Sequence, residues 1–243
     1  MKLLALALVI PLAACSFSGS SEAEGPGVRP QGSGSTRTFA VADFTGIDLR
    51  GADDIDVRVG TGFSVRAEGP TEDLDKLRVD LDGSTLNVGR KSLAGMNWSK
   101  GSKVKVFVTL PRLIEANVAG SGTLTVDRVE GSAFKAGIAG SGALHVAALQ
   151  VEDVQFSIAG SGDASAAGTA KSLKVEMAGS GSVDGSRLQA QSASVEMAGS
   201  GNVRAVVNGP AKVDMLGSGD VDLGPNARCT VSKMGSGKVR CAG

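Results

Sequence analysis

The chain has 243 residues with 25 basic and 25 acidic side chains, and this balance excludes the broad cationic surface through which proteins hold nucleic acid. Thirty-five glycines beside seven Phe, one Trp and no Tyr exclude a core of large aromatic rings and favour tightly turned β-structure with a narrow interior. The length suits one domain, and a repeat body can reach it without splitting.

In chain order, Met1-Lys2 is a charged start, Leu3 to Ile10 is a short apolar run, and Leu12-Ala13-Ala14-Cys15 has the small-residue pattern of a lipobox. Residues 1–14 are therefore expected to be a lipoprotein signal peptide. The apolar run is far shorter than the ~20 residues of a membrane-spanning helix. Resemblance to bacterial lipoproteins implies that Cys15 carries a thioether-linked diacylglycerol and an N-acyl chain, and several chains make a stable membrane anchor. Ser16 stands where the inner-membrane retention signal of enteric bacteria places Asp. The expected address in a Gram-negative host is thus the outer membrane, facing the periplasm or the cell surface. Residues 15–36, rich in Ser, Gly and Pro, read as the lipidated cysteine and a flexible tether.

Residues 37–113 alternate apolar and polar side chains at Ile47 and Leu49, at Ile55, Val57 and Val59, and at Val104, Val106 and Val108, which predicts a β-rich N-terminal cap. Asp82-Gly83 marks a tight turn. Thr71-Glu72-Asp73-Leu74-Asp75-Lys76-Leu77 carries an N-cap candidate and acidic first-turn residues, so one short helix is expected there. Trp98 is flanked by Arg90, Lys91, Lys100, Lys103 and Lys105. That loop is either solvated or set to touch an anionic lipid or glycan surface.

From residue 114 to 243 the chain repeats. Gly-Ser-Gly recurs at Gly120, Gly140, Gly160, Gly179, Gly199, Gly217 and Gly235, with spacings between 18 and 20 residues, and such a period is a solenoid signature. Apolar side chains return six, four and two residues before the first glycines, in rows that begin at Ile114, Ala116 and Val118, the last of which ends in Lys233, and again four residues after each, from Leu124 to Val239. Even offsets therefore face inward and odd offsets, mostly polar, face out. Because the alternation keeps its phase through Gly-Ser-Gly, the glycines read as a bend where a Cβ would strike the neighbouring wall. A phosphate cradle would need a following helix, which the motifs lack. A shorter third segment, such as Arg187-Leu188-Gln189, closes each coil. The predicted fold is all-β: a right-handed parallel β-helix, or β-solenoid, of about seven coils, continuous with its cap over residues 37–243.

Phe44-Thr45-Gly46-Ile47, the step Thr109-Leu110-Pro111 and the Gly-Ser-Gly-x-apolar repeats resemble the "putative auto-transporter adhesin, head GIN domain" family over roughly residues 37–243. Gly46-Ile47-Asp48 departs mildly from the family's Gly-Ile-Asn style. The resemblance implies an exported or lipidated β-helical protein without an assigned ligand or catalytic residue.

Two outward rows are the candidate chemistry. Asp184, Arg204, Asp222 and Arg240 alternate in charge along the last coils, which favours register more than binding. Glu176, Glu196 and Asp214 bring like charges onto successive coils, with Lys174 and Lys212 beside them. A Ca²⁺ ion is the alternative counter-charge, and no other cofactor is implied. His145, the only histidine, has no second imidazole for a metal site. Cys229 and Cys241 fall at inward offsets of the last coil, where an exported chain admits a disulfide.

The functional expectation is a non-enzymatic, lipid-anchored envelope solenoid, structural or adhesin-like. Its partners would be the membrane through Cys15, an envelope glycan or protein, and another copy through the open last coil. The alternative is a carbohydrate-active or Ca²⁺-dependent carbohydrate-binding protein that recruits outward carboxylates such as Asp163, Asp184, Asp220 and Asp222. Against it, the repeats hold neither Tyr nor Trp to stack on sugars.

Overall fold

The computed structural model describes residues 27–91 and 102–242. The expected signal peptide, Cys15, most of the tether and the Trp98 loop lie outside the described residues.

The described chain is 69 % strand and 2 % helix. The first half holds β1 (Pro30–Gln31), β2 (Thr36–Phe39), β3 (Gly46–Gly51), β4 (Asp54–Val59), β5 (Ser64–Glu68), helix α1 (Thr71–Leu74), β6 (Leu77–Asp82), β7 (Thr85–Arg90) and β8 (Lys105–Leu110). The repeats hold β9 (Glu115–Gly120), β10 (Thr123–Val126), β11 (Val129–Gly140), β12 (Ala143–Gly160), β13 (Asp163–Gly179), β14 (Ser182–Gly199), β15 (Asn202–Val207), β16 (Pro210–Gly217), β17 (Asp220–Asp222), β18 (Arg228–Met234) and β19 (Lys238–Arg240).

The strands wind into a β-solenoid of about six turns, bounded by the seven Gly-Ser-Gly corners. On the wall before each corner, β7, β3, β9, β11, β12, β13, β14, β16 and β18 stack in parallel. On the wall after it the order is β8, β4, β10, β12, β13, β14, β15, β17 and β19. The third segments of β11 to β14 form a shorter third wall, where Val129, Leu149, Gly168 and Leu188 lie in line. Successive coils register residue on residue through each corner.

The corner geometry explains the glycines. Gly140 has φ +121°, and a Cβ there would lie 2.5 Å from the carbonyl oxygen of Gly120 one coil below. A Cβ on Gly142 would meet the Gly122 carbonyl oxygen and Val118 Cγ1, both at 2.6 Å. Real Cβ atoms do not come so close, so the stack can reach strand spacing only with glycine at both places. The corner serines between them are exposed.

Before the last coil the even offsets face inward: Ala136, Phe156, Val175 and Val195 are each 4 % exposed or less, whereas Val231 is 45 % exposed. Ile114 departs from the expectation, being 38 % exposed while Leu113 is buried at 1 %. The alternation holds only once the strand has begun, and β9 starts at Glu115. A second departure is the position just before each first glycine, an odd offset that is apolar and exposed in every coil, from Ala119 to Met234.

The same parallel pattern extends into the first half. β3 pairs with β9 and β4 with β10, so Gly51-Ala52-Asp53 is a further corner with Asp53 in the place of the second glycine. Beyond it, β7 and β8 stack on β3 and β4. The stack is then closed by antiparallel strands, β6 on β7, β5 on β8, β2 on β5 and β1 on β2. Switching from parallel to antiparallel pairing ends the repeat where it would otherwise continue. The β6–β7 hairpin pairs Asp82 with Thr85, so its two-residue loop is Gly83-Ser84. Helix α1 is capped at Pro70 without a side-chain bond, and the Thr71 hydroxyl instead donates to the Gly34 carbonyl at 3.0 Å.

Candidate functional site

The wall before the corners carries two outward rows that run the length of the stack. One comprises Asn117, Gly137, Ser157, Glu176, Glu196 and Asp214 in direct register. The other comprises Ala119, Ala139, Ala159, Ala178 and Ala198, followed by Leu216 and Met234. Together they line a groove of about 1430 Å³. Small side chains in the second row make the depression and the first row gives it polar walls.

The three carboxylates of the polar row are thus brought together on adjacent coils, as the repeat spacing implies. Their charge is met from within the wall. Lys174 Nζ lies 2.6 Å from Glu176 Oε1, and Lys212 Nζ lies 2.6 Å from Asp214 Oδ2. Gln155 Nε2 and Ser157 Oγ donate to the other oxygen of Glu176 at 3.0 and 3.2 Å. The Lys174 hydrogen bond holds the Glu176 carboxyl below its usual range against a smaller opposing effect of burial, and Lys174 is correspondingly raised. Among the described residues no group of three or more His, Cys, Asp or Glu side chains is arranged to hold a metal ion.

The alternating row is also in register, with Asp184 beside Arg204, Arg204 beside Asp222 and Asp222 beside Arg240. Its carboxylates are largely committed to local turns. Asp184 Oδ1 accepts the Ser186 amide at 3.0 Å and Asp222 Oδ1 the Gly224 amide at 3.1 Å, while Arg240 reaches Asp222 at 3.6 Å. Hydrogen bonds from Ser186 lower the Asp184 carboxyl. Asp163 accepts the Ser182 hydroxyl and Asp220 the Lys238 amide, so the four acids considered for sugar chemistry each have a structural bond. His145 Nδ1 is 2.7 Å from Ser165 Oγ. Ser165, not a carboxylate, stands next to the imidazole and separates it in the row from Asp184, an order that does not supply the acid–histidine contact of a hydrolase triad.

At the corners, the serine amide and the amide that follows the second glycine are committed to the coil below. The Ser141 amide donates to the Gly120 carbonyl at 2.9 Å and the Ala143 amide to the Gly122 carbonyl at 3.0 Å; the pattern recurs at the corners that begin at Gly160, Gly179, Gly199 and Gly217, while at the last corner the Gly237 amide donates to the Gly217 carbonyl at 3.4 Å. These amides are spent on coil stacking and are withdrawn from the anion nest that Gly-Ser-Gly suggests in isolation.

In the last coil the Sγ atoms of Cys229 and Cys241 are joined across 12 residues with their Cα atoms 6.1 Å apart. Both pack partly buried against the end of the core. Beside them Lys233 takes an inward offset and donates to the Gly237 carbonyl at 2.7 Å.

Sequence reasoning missed one charged cluster. Asp53 is fully buried, and its carboxylate accepts Arg90 Nε at 2.9 Å, Arg90 Nη2 at 2.6 Å and the Val104 amide at 2.9 Å. Arg90 also reaches Asp73 of α1 at 3.1 Å. The signal was present: Gly51-Ala52-Asp53 follows an alternating strand as Gly-Ser-Gly does, with an acid where a glycine belongs.

A family model for the putative auto-transporter adhesin, head GIN domain, matches residues 43–227. No curated protein sequence matches significantly. Among solved structures, a putative adhesin from Bacteroides fragilis superposes with TM-score 0.76 at 21 % identity, covering 88 % of this chain and 100 % of that one. A putative lipid binding protein from Parabacteroides distasonis gives TM-score 0.67 at 21 % identity over 87 % and 96 % of the two chains. A putative adhesin from Parabacteroides merdae gives 0.61 at 18 % identity over 85 % and 95 %. At these identities the likeness is one of fold.

Proposed function

The chain belongs to the putative auto-transporter adhesin, head GIN domain, family, and from that premise we propose that it is a non-enzymatic cell-envelope protein, lipid-anchored at Cys15, whose groove wall is its adhesive surface. The observation that carries this reading is the unbroken groove: seven exposed apolar positions beside an in-register polar row. A surface that repeats the same chemistry at strand spacing, about 4.8 Å per coil, suits an extended partner laid along the stack. Weak contacts then add along its length. An envelope glycan is the partner of choice, since the row offers hydroxyls, amides and carboxylates to sugar hydroxyls. The anchor follows from the lipobox, and an exported, acylated chain would keep the solenoid at the outer membrane.

The test is capture of envelope polysaccharide by wild type and by Ala159→Glu with Ala178→Glu, which fill the groove from exposed positions without entering the core. Capture should fall at least about tenfold when two central contacts are blocked. Equal capture by a variant with an unchanged unfolding midpoint would overturn the groove as the adhesive surface. The anchor is tested separately, by mass spectrometry of the exported chain for diacylglycerol on Cys15 and by release of Cys15→Ser from membranes.

A further inference from the structure

The last coil differs from every other in charge and exposure. From Leu223 to Gly243 the chain contains Arg228, Lys233, Lys238 and Arg240 and no acidic residue, although the whole chain is formally neutral. Val231 is 45 % exposed, whereas Ala136, Phe156, Val175, Val195 and Val213 at the same offset of earlier coils are buried. Leu216 and Met234, neighbours in register, are 56 % and 72 % exposed. Three of the five large exposed apolar side chains among the described residues therefore gather at this one end of the stack.

In earlier corners the second glycine's carbonyl accepts an amide from the next coil, as Gly219 does from Lys238. At the last corner the Lys233 ammonium takes that place on Gly237. The Cys229–Cys241 bond lies against the exposed end of the core. A lysine at an otherwise inward offset and further cations along an edge are devices that stop another strand from adding. Two copies meeting end to end would also bring four cations against four. The complementary partner is anionic, and the exposed Met234, Val231 and Leu216 give it an apolar boundary as well. Cations around protruding aliphatic side chains match a phospholipid interface, where phosphates meet the ammonium and guanidinium groups and the apolar tips enter the acyl boundary.

We propose that the last coil, through Arg228, Lys238, Met234 and Val231, docks the far end of the solenoid onto an anionic phospholipid surface. This goes beyond the groove reading and does not depend on it. The test uses residues 16–243, which hold every described strand and lack both the apolar N-terminal run and Cys15. Co-sedimentation is measured with vesicles of phosphatidylglycerol and phosphatidylcholine and with vesicles of phosphatidylcholine alone. Binding is expected only with the anionic vesicles, weakening as salt rises. Arg228→Glu and Lys238→Glu should each weaken it by more than about fivefold, the factor for losing one cation at the surface. Met234→Ser should weaken it without changing its salt dependence. Equal binding to both vesicle types, or charge reversals without effect in variants of unchanged unfolding midpoint, would overturn the proposal. So would light scattering that shows dimers lost in the same variants, because the end would then belong to a second copy.

Discussion

A single atom decides the corner. At Gly140 a Cβ would enter the space of the Gly120 carbonyl and the backbone would hold it at φ +121°, whereas the Ser141 side chain next to it is exposed. Gly140→Ala should therefore destabilise the fold by at least about 2 kcal/mol, through backbone strain plus overlap. Ser141→Ala should stay within roughly 0.5 kcal/mol. Urea midpoints of the two variants check the contrast, and comparable losses would show that the serine, not the close approach, makes the corner. This distinction was legible in the sequence because the inward alternation runs through Gly-Ser-Gly unbroken. The amides' commitment to the coil below was not legible, since a local motif does not display a partner some twenty residues away.

At the scale of elements, one buried ion cluster joins the extra corner, α1 and the start of β8. Arg90 is raised first by its hydrogen bond to Asp53, against the opposing effect of burial. For Asp73, burial acts to raise the carboxyl, but the Arg90 hydrogen bond, the Ser102 amide and the charges of Arg90 and Lys76 together hold it below its ordinary 3.8. A carboxyl lowered in the folded state stabilises fully above its unfolded value and loses that contribution as pH falls through the folded one. Arg90→Met should cost roughly 3–5 kcal/mol at neutral pH, because it leaves Asp53 buried beside an uncompensated site. It should also flatten the fall in stability below about pH 4 that Asp73 contributes. Thermal unfolding between pH 3 and pH 7, taken from the range this carboxyl spans, reads both effects. A variant as stable as wild type would mean that the cap is held by its strands alone. The sequence marks Arg90 only as one of several cations near Trp98, since its partners lie 17 and 37 residues earlier and no spacing rule pairs them. The β ladders of the repeats were readable for the opposite reason: each row is written again every coil. Only the exposed alanine row escaped, because alanine at an odd offset looks neutral until its neighbours are seen to be larger.

The molecule as a whole is a stack in which each coil touches only the next, so stability should be local along its axis. The first half hides this because its coil is completed by strands far apart in sequence, Asp48 lying beside Asn117, and its corner lacks the repeat's signature. At the other end the last coil has one strand neighbour on each wall, β16 under β18 and β17 under β19, and the Cys229–Cys241 bond supplies part of what a further coil would give. Closing a short loop of this kind contributes about 2–4 kcal/mol, but in a stack that contribution belongs to the coil it closes. Cys241→Ser should accelerate amide hydrogen exchange in β18 and β19 and leave β12 and β13 protected, with only a small change in the overall midpoint. Uniform acceleration through all coils would mean that the solenoid opens as one cooperative unit and that nearest-neighbour stacking is the wrong description. Because the same coil carries Arg228, Lys238 and Met234, its fraying should also weaken binding to anionic vesicles while leaving capture by the central groove intact. Loss of both together would show that end and groove are not independent surfaces.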